Sequence, residues 1–456
     1  MSLLDETFER AKEVLRLNVT QRGFSACSVK HDDDPSSNYG SVWARDSAMT
    51  GMWSLPLGDA ELTACARRSL ETILGGQSRD GHLPNYVDID TGEPQYGGIG
   101  NIAGIDGALW TVIAVWNYVR VTGDEEFARR YFGKIHRTIK WLRAHDSNNC
   151  GLLEVPEASD WTDLFPRSYN VLYDEVLWYR ANIDFVELRK LNGRPVDRYV
   201  NRAARIRALI NDHFWPTPDT VRDSMESFAD TQFSLGRTRY LISQITPFGF
   251  GWRCDVFANI IASLYGVLDD ERASRVWRFL RQVSIDHPHP VKVLYPAIRP
   301  GEPDWRDYFL VNLQNLPHHY HNGGIWPFVG GLWVRFLNRL GQRAHAEEAL
   351  TRLAELCRAG MEGEWEFTEW AHGQTGRPMG KTYQAWSAAS YAAAYLRFQG
   401  DTTIEVAEER PDELVQRDES GLAPTVTDDN VDLDRAGPGV DNVPPETPKS
   451  EQRSPK

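Results

Sequence analysis

A turn of one form recurs six times along this chain, at intervals of roughly 60–75 residues, as in a repeated supersecondary unit. The turns are Leu57-Gly58-Asp59, Thr122-Gly123-Asp124, Asn192-Gly193-Arg194, Leu268-Asp269-Asp270, Leu340-Gly341-Gln342 and Gln399-Gly400-Asp401. Gly suits the left-handed residue that ends a helix, and Asp caps the start of the next. Before each turn lies a segment apolar around most of its circumference. Gly104–Val121, Val171–Leu191, Trp252–Gly266, Gly324–Leu340 and Thr382–Phe398 are examples. Helices of that kind are buried on several sides. After five of the turns comes a helix with one apolar stripe, such as Phe127, Tyr131, Ile135 and Ile139 among Arg and Lys. A one-sided helix belongs on the outside. Six inner helices then face five outer ones. The amphipathic N-terminal helix Leu3–Leu17 supplies the sixth, so the chain is expected to close as an all-α (α/α)6 toroid over residues 1–400.

In such a ring every outer-to-inner connection emerges at the same end. Those connections are long here, about 19–44, 76–104, 146–169, 214–251, 283–323 and 360–381, whereas the inner-to-outer ones are short. Long connections in a compact domain are usually functional. The working face is therefore expected at that end.

Composition narrows the substrate. The chain carries 16 Trp, 17 Tyr and 18 Phe, all before residue 401. Residues 401–456 lack aromatics, are rich in Pro and acids, and read as a disordered acidic tail. The chain's net charge is −14. An acidic chain offers no basic face to nucleic acid. The five Cys show no metal-ligand spacing and read as reduced thiols. The first residues have no signal-peptide pattern, and no apolar run approaches the ~18–20 residues of a membrane span. The expectation is a cytoplasmic protein without membrane or nucleic-acid partners, whose oligomeric state the sequence leaves open.

Three clusters in the long loops carry chemistry. Trp43-Ala44-Arg45-Asp46 pairs a ring that can stack on a sugar with charges that can bind hydroxyls. Glu154-Val155-Pro156-Glu157-Ala158-Ser159-Asp160-Trp161-Thr162-Asp163 places four carboxylates and a Trp ahead of an apolar helix. Helix capping accounts for one or two of those acids, not all four. Glu364-Trp365-Glu366-Phe367-Thr368-Glu369-Trp370 again alternates acids and large rings. Two acid clusters from separate loops suit glycoside hydrolysis, where one carboxyl protonates the leaving oxygen and the other activates water or attacks the sugar. An inverting mechanism sets the two roughly 6.5–9.5 Å apart. The run His318-His319-Tyr320-His321 keeps an epimerase or isomerase open, since such chemistry leans on His. It has no recognised metal-ligand spacing, so neither metal nor cofactor is expected. A carbohydrate-binding protein without turnover is a further alternative.

These residues resemble the inverting α/α-toroid, or six-hairpin, glycosidases. That group includes the amylo-α-1,6-glucosidase domain of glycogen debranching enzymes, the processing α-glucosidases and the neutral/alkaline invertases. The resemblance covers about residues 35–398. It rests on Trp43-x-Arg45-Asp46, on Asp163-Leu-Phe-Pro166-Arg167, on Trp252-Arg253-Cys254-Asp255, on Asn322-Gly-Gly-Ile-Trp326-Pro327, and on Glu369 ahead of Gly380-Lys381-x-x-Gln384-x-Trp386-Ser387. It implies Asp163, rather than Asp160, as general acid and Glu369 as base. It also implies a sugar site drawn from Trp43, Arg45, Asp46, Trp161, Arg253, Asp255, Asn322, Trp326, Trp370 and Gln384. The expected activity is exo-hydrolysis of an α-glucoside or α-glucan branch with inversion, with sucrose hydrolysis as the alternative.

Overall fold

A computed structural model of the chain describes residues 1–32, 39–216 and 238–403. The acidic tail beyond residue 403 and the middle of the fourth long loop lie outside the described residues. The described residues contain twelve α-helices: α1 Leu3–Leu17, α2 Ala44–Ser54, α3 Ala60–Gly75, α4 Asp106–Thr122, α5 Glu125–Arg143, α6 Leu172–Leu191, α7 Asp197–His213, α8 Val256–Leu264, α9 Asp270–Gln282, α10 Pro327–Arg339, α11 Arg343–Arg358 and α12 Ala385–Phe398. None is long and apolar enough to cross a membrane. The even-numbered helices pack each on the next, α2 to α12 and back to α2, which closes an inner ring. Helices α3, α5, α7, α9 and α11 back α2, α4, α6, α8 and α10 in turn. Helix α1 backs α12, where Phe8 stacks on Tyr395 at 4.6 Å and Tyr391 Oη donates to Leu4 O at 3.0 Å. The toroid is thus six inner and six outer helices.

Local chemistry explains the repeat. Gly58 and Gly123 end their helices with φ of 62° and 72°, a region that costs any residue with a Cβ. Asp59, Asp124 and Asp269 accept backbone N–H groups at the starts of α3, α5 and α9. Inner α4 buries residues on every side, among them Leu109, Trp110, Ile113 and Val115. Outer α5 buries Phe127, Ala128, Ile135, Ile139 and Leu142 along one stripe.

The inner ring is tight enough to need glycine. A Cβ on Gly331 of α10 would run into the Ser390 hydroxyl of α12 and stand 2.5 Å from the Ser390 carbonyl oxygen. Since backbone cannot yield as a side-chain tip can, Gly331→Ala should cost about 1–3 kcal/mol. Thermal unfolding of the variant measures this, and an unchanged Tm would contradict the packing.

Four small antiparallel sheets tie down the long connections. Strands β1 Ser41–Trp43, β2 Tyr86–Asp88 and β3 Pro94–Gln95 form the first. Strands β4 Asn170–Val171, β5 Gln244–Thr246 and β6 Gly249–Gly251 form the second. Strand β7 Cys254–Asp255 pairs with β8 Leu294–Tyr295, and β9 Trp370–Ala371 with β10 Pro378–Met379. Strands β1, β4 and β7 run directly into α2, α6 and α8, so each of these inner helices is entered from a pinned strand. The five cysteines are unpaired, four of them buried.

Candidate active site

Three long connections converge over the end of the ring. Asn315 Nδ2 donates to Leu164 O at 3.0 Å, tying the 283–323 connection to the loop that carries Asp163. Ile325 and Ala371 exchange backbone hydrogen bonds of 2.7 and 2.8 Å, tying the same connection to the loop that carries Glu369. Tyr320 sits between them, buried. Its hydroxyl donates to Asp163 Oδ2 at 3.2 Å, and its ring meets Trp370 edge-on at 5.8 Å.

The two carboxylates have opposite surroundings. The Asp163 side chain is 31% exposed and projects from a backbone with φ of 50°. Glu369 is buried. Tyr39 Oη donates to Glu369 Oε1 at 3.2 Å and the Lys381 N–H donates to Oε2 at 3.1 Å. Burial pushes the Glu369 carboxyl up to about 7, against those two hydrogen bonds, and the nearby charges of Asp163 and Asp46 push the same way. Gly380 permits this: with φ of +80°, a Cβ there would strike the Glu369 carboxylate and stand 2.7 Å from the Trp370 ring. Lys381 Nζ pairs with Asp32 at 2.7 Å and lies over the Tyr39 ring, so the first loop is held against this carboxylate.

Arg45 and Asp46, at the start of α2, join the same group. Arg45 Nη1 donates to both oxygens of Asp106 on α4, at 3.1 and 2.9 Å, and Tyr173 Oη donates to Asp106 as well. Burial raises Asp46 to about 6 despite Arg45, and Asp106 and Asp163 add to the rise.

Asp160 differs from Asp163. It accepts from Thr162 N at 2.8 Å and from Arg167 Nε at 2.7 Å, and Arg167 also pairs with Asp255. Burial would raise the Asp160 carboxyl, but the Arg167 guanidinium and the hydrogen bonds outweigh it and hold it low. This carboxylate is buried and committed to Thr162 and Arg167. Of the four acids in that cluster, Asp163 is the one brought into the field of Glu369 and Asp46.

The remaining residues expected to line a sugar site fall in two groups. The Trp43 ring is partly open and lies against Tyr86 at 4.5 Å; Trp370 and Gln384 adjoin the Glu369 loop, both buried. The others are held by protein partners. Asp255 caps α8 through Ala258 N at 2.9 Å besides holding Arg167. Arg253 clamps Glu302, Asp304 and the Pro296 carbonyl. Asn322 bonds Ile298 N, Ile298 O and Asn315 O and so shapes the turn before α10. Trp161 and Trp326 are buried, Trp161 edge-on to Trp326 at 5.4 Å. His318 and His319 pack near His372 instead of gathering with His321. Tyr39 and Asp106 stand in none of the motifs, and Lys381 stands in one without a role of its own. The partners of Tyr39 and Asp106, and the Asp32 partner of Lys381, lie in other loops or helices, so no local pattern announces those contacts.

Comparison with known proteins bears on the family and the fold. A family model described as alkaline and neutral invertase matches residues 166–398, and one described as bacterial alpha-L-rhamnosidase 6 hairpin glycosidase domain matches residues 35–238. The chain is 23% identical over 420 residues to probable alkaline/neutral invertase D of Arabidopsis thaliana, covering 80% of this chain and 76% of that protein. It is 23% identical over 350 residues to alkaline/neutral invertase E, chloroplastic, of the same plant, covering 70% of this chain but only 55% of that relative. Among solved structures, the GH63 mannosylglycerate hydrolase of Thermus thermophilus superposes with a TM-score of 0.60 at 16% identity, covering 86% of this chain and 99% of that one. The GH78 family rhamnosidase of Bacillus sp. GL1 gives 0.58 at 17% identity, covering 87% of this chain and 34% of that one. With half its length matched by one family model and the ring closed as six helical hairpins, the chain belongs to the alkaline and neutral invertase family and is a six-hairpin glycoside hydrolase acting on O-glycosyl bonds.

Proposed function

We propose that this enzyme hydrolyses an α-glucoside with inversion, Asp163 giving a proton to the leaving oxygen and Glu369 taking one from the attacking water. The observation that carries the reading is the contrast between the two carboxyls. One is open and served by a single tyrosine; the other is buried, hydrogen-bonded and raised to about 7. A base poised near the working pH combines a sufficient carboxylate fraction with a strong pull on the proton. Arg45, Asp46 and the Trp43 face are suited to hold the sugar beside that pair. The invertase names of the relatives favour sucrose, itself an α-glucoside, over an α-1,6-linked branch. Incubating sucrose, isomaltose and maltose with the enzyme while following the released anomer by NMR tests both points. Sucrose should be cleaved with β-glucose appearing first. Release of α-glucose would overturn inversion, and turnover of isomaltose alone would overturn the sucrose assignment.

The base sets a pH dependence. Glu369 must be a carboxylate, so kcat/KM should fall on the acid side as pH drops below about 7. The Tyr39 hydrogen bond favours the charged form. Tyr39→Phe removes it, so the acid limb should move to higher pH by about one unit. A limb that stays in place or moves down would exclude Tyr39 as a donor to the base.

A further inference from the structure

The turn before α10 aims two donors at one oxygen of Asp163. Tyr320 Oη already donates to Oδ2. His321 Nε2 stands 3.8 Å from the same oxygen, just beyond hydrogen-bond reach. Among the described residues neither ring nitrogen of His321 has a hydrogen-bond partner within 3.5 Å, although the ring is buried. Leaving buried polar groups unsatisfied costs roughly 1–3 kcal/mol each, and such groups in a folded protein call for a reason.

The ring is held where it is. It lies flat on Trp326 at 4.8 Å with the planes 6° apart, and Trp161 meets it edge-on at 4.6 Å. Its backbone N–H donates to Asn315 Oδ1, and the next residue, Asn322, is anchored by its own side chain to Ile298 O. The framework residues around the turn therefore serve this one imidazole. Burial favours its neutral form, and Arg167 adds to that, while Asp163 and Asp160 oppose it. A neutral imidazole keeps one N–H to give. Asp163 is faced by Tyr320 and His321 from this turn, by Glu369 from its loop, by Tyr39 from the first loop, and by Arg45 and Asp46 from α2.

Resting on the reading of Asp163 as the acid, we infer that His321 and Tyr320 are positioning residues: they keep the transferable proton of Asp163 on Oδ1 and take up the charge on Oδ2 when that proton leaves. In the resting acid, Oδ2 is the carbonyl oxygen and accepts from Tyr320, so Oδ1 carries the proton. As the glycosidic bond breaks, the Oδ1–H bond breaks too. Its electron pair stays on Asp163 and the proton goes to the leaving oxygen. The new carboxylate turns toward the fixed His321 N–H and closes the remaining gap. The strength of the acid then depends on a donor that engages only after transfer, which stabilises the transition state more than the ground state.

The test compares pH profiles of kcat/KM for wild type, His321→Phe, His321→Gln, Tyr320→Phe and Asp163→Asn. Two substrates are used: the best O-glycoside of the panel above, and α-glucosyl fluoride, whose leaving group depends far less on an acid. His321→Phe should lose about tenfold on the O-glycoside, stay within about threefold on the fluoride, and carry its alkaline limb up by about one pH unit. His321→Gln keeps a donor and should recover most of the loss. Tyr320→Phe should shift the same limb, and it carries the test if His321→Phe does not fold. Equal losses on both substrates, or an alkaline limb unmoved in every variant, would overturn the inference. If Asp163→Asn keeps its O-glycoside activity, the acid assignment itself fails. If Asp163→Asn is inactive and His321→Phe is normal, only the role of His321 falls.

Discussion

Glu369→Gln and Asp163→Asn are each expected to lower kcat on an O-glycoside by about 10²–10⁴-fold, the usual contribution of a positioned acid or base. The two amides keep the shape of the side chains, so the ring should fold as before. They should differ in a second measurement. Glu369 has a folded-state pKa of about 7, above its ordinary value of 4.5. Folding therefore binds a proton at this site between those pH values. The charged, buried carboxylate costs stability above pH 7, and the cost fades as pH falls toward 4.5. Glu369→Gln should accordingly be more stable than wild type at pH 8, by up to about 3 kcal/mol, with the advantage lost near pH 4–5. Chemical denaturation at the two pH values checks this. A variant that is inactive and also less stable at pH 8 would mark Glu369 as a structural acid, and activity near wild type would remove it from the mechanism. The gain in stability on loss of function is what a strained site predicts.

Arg167→Met should be the most destabilising single change discussed. Its guanidinium lies between Asp160 and Asp255, all three nearly free of solvent, and over the ring of Tyr173 at 5.4 Å. Removing it leaves two buried carboxylates without a counter-charge. Breaking a buried pair in that way costs about 3–5 kcal/mol. For a domain of about 400 residues the expected fall in Tm is about 4–6 °C. The triple variant Arg167→Met, Asp160→Asn, Asp255→Asn should recover much of the loss, because the penalty comes from uncompensated charge rather than from the missing contact. A Tm within about 1 °C of wild type for Arg167→Met alone would show that water or another cation already serves those acids. The same triad explains why Asp160 and Asp163, three residues apart, are suited to different work. Arg167 consumes one of them in the framework and leaves the other at the surface of the site.

The sequence by itself determined the ring. Apolar segments without a polar side, one-sided helices after Gly–Asp turns, and an unpaired amphipathic helix at the start have one compact arrangement, because each buried face must find a partner. It also placed the long connections at one end, since they all join outer helices to inner ones. Those signals are local, running over one helix or one turn. The tertiary structure alone decided which partners the motif residues meet. Asn322, Asp255, Arg253 and Trp326 each bond or pack within the loops and turns around the ring end, and a motif does not show those partners. Tyr39 and Glu369 are 330 positions apart, and Tyr320 and Asp163 are 157 apart. Such pairs meet only because the hairpins close into a ring. The state of each carboxyl follows from that meeting: burial, a tyrosine from another loop, and a guanidinium within reach set it, and none of these is a property of the neighbouring residues in the chain.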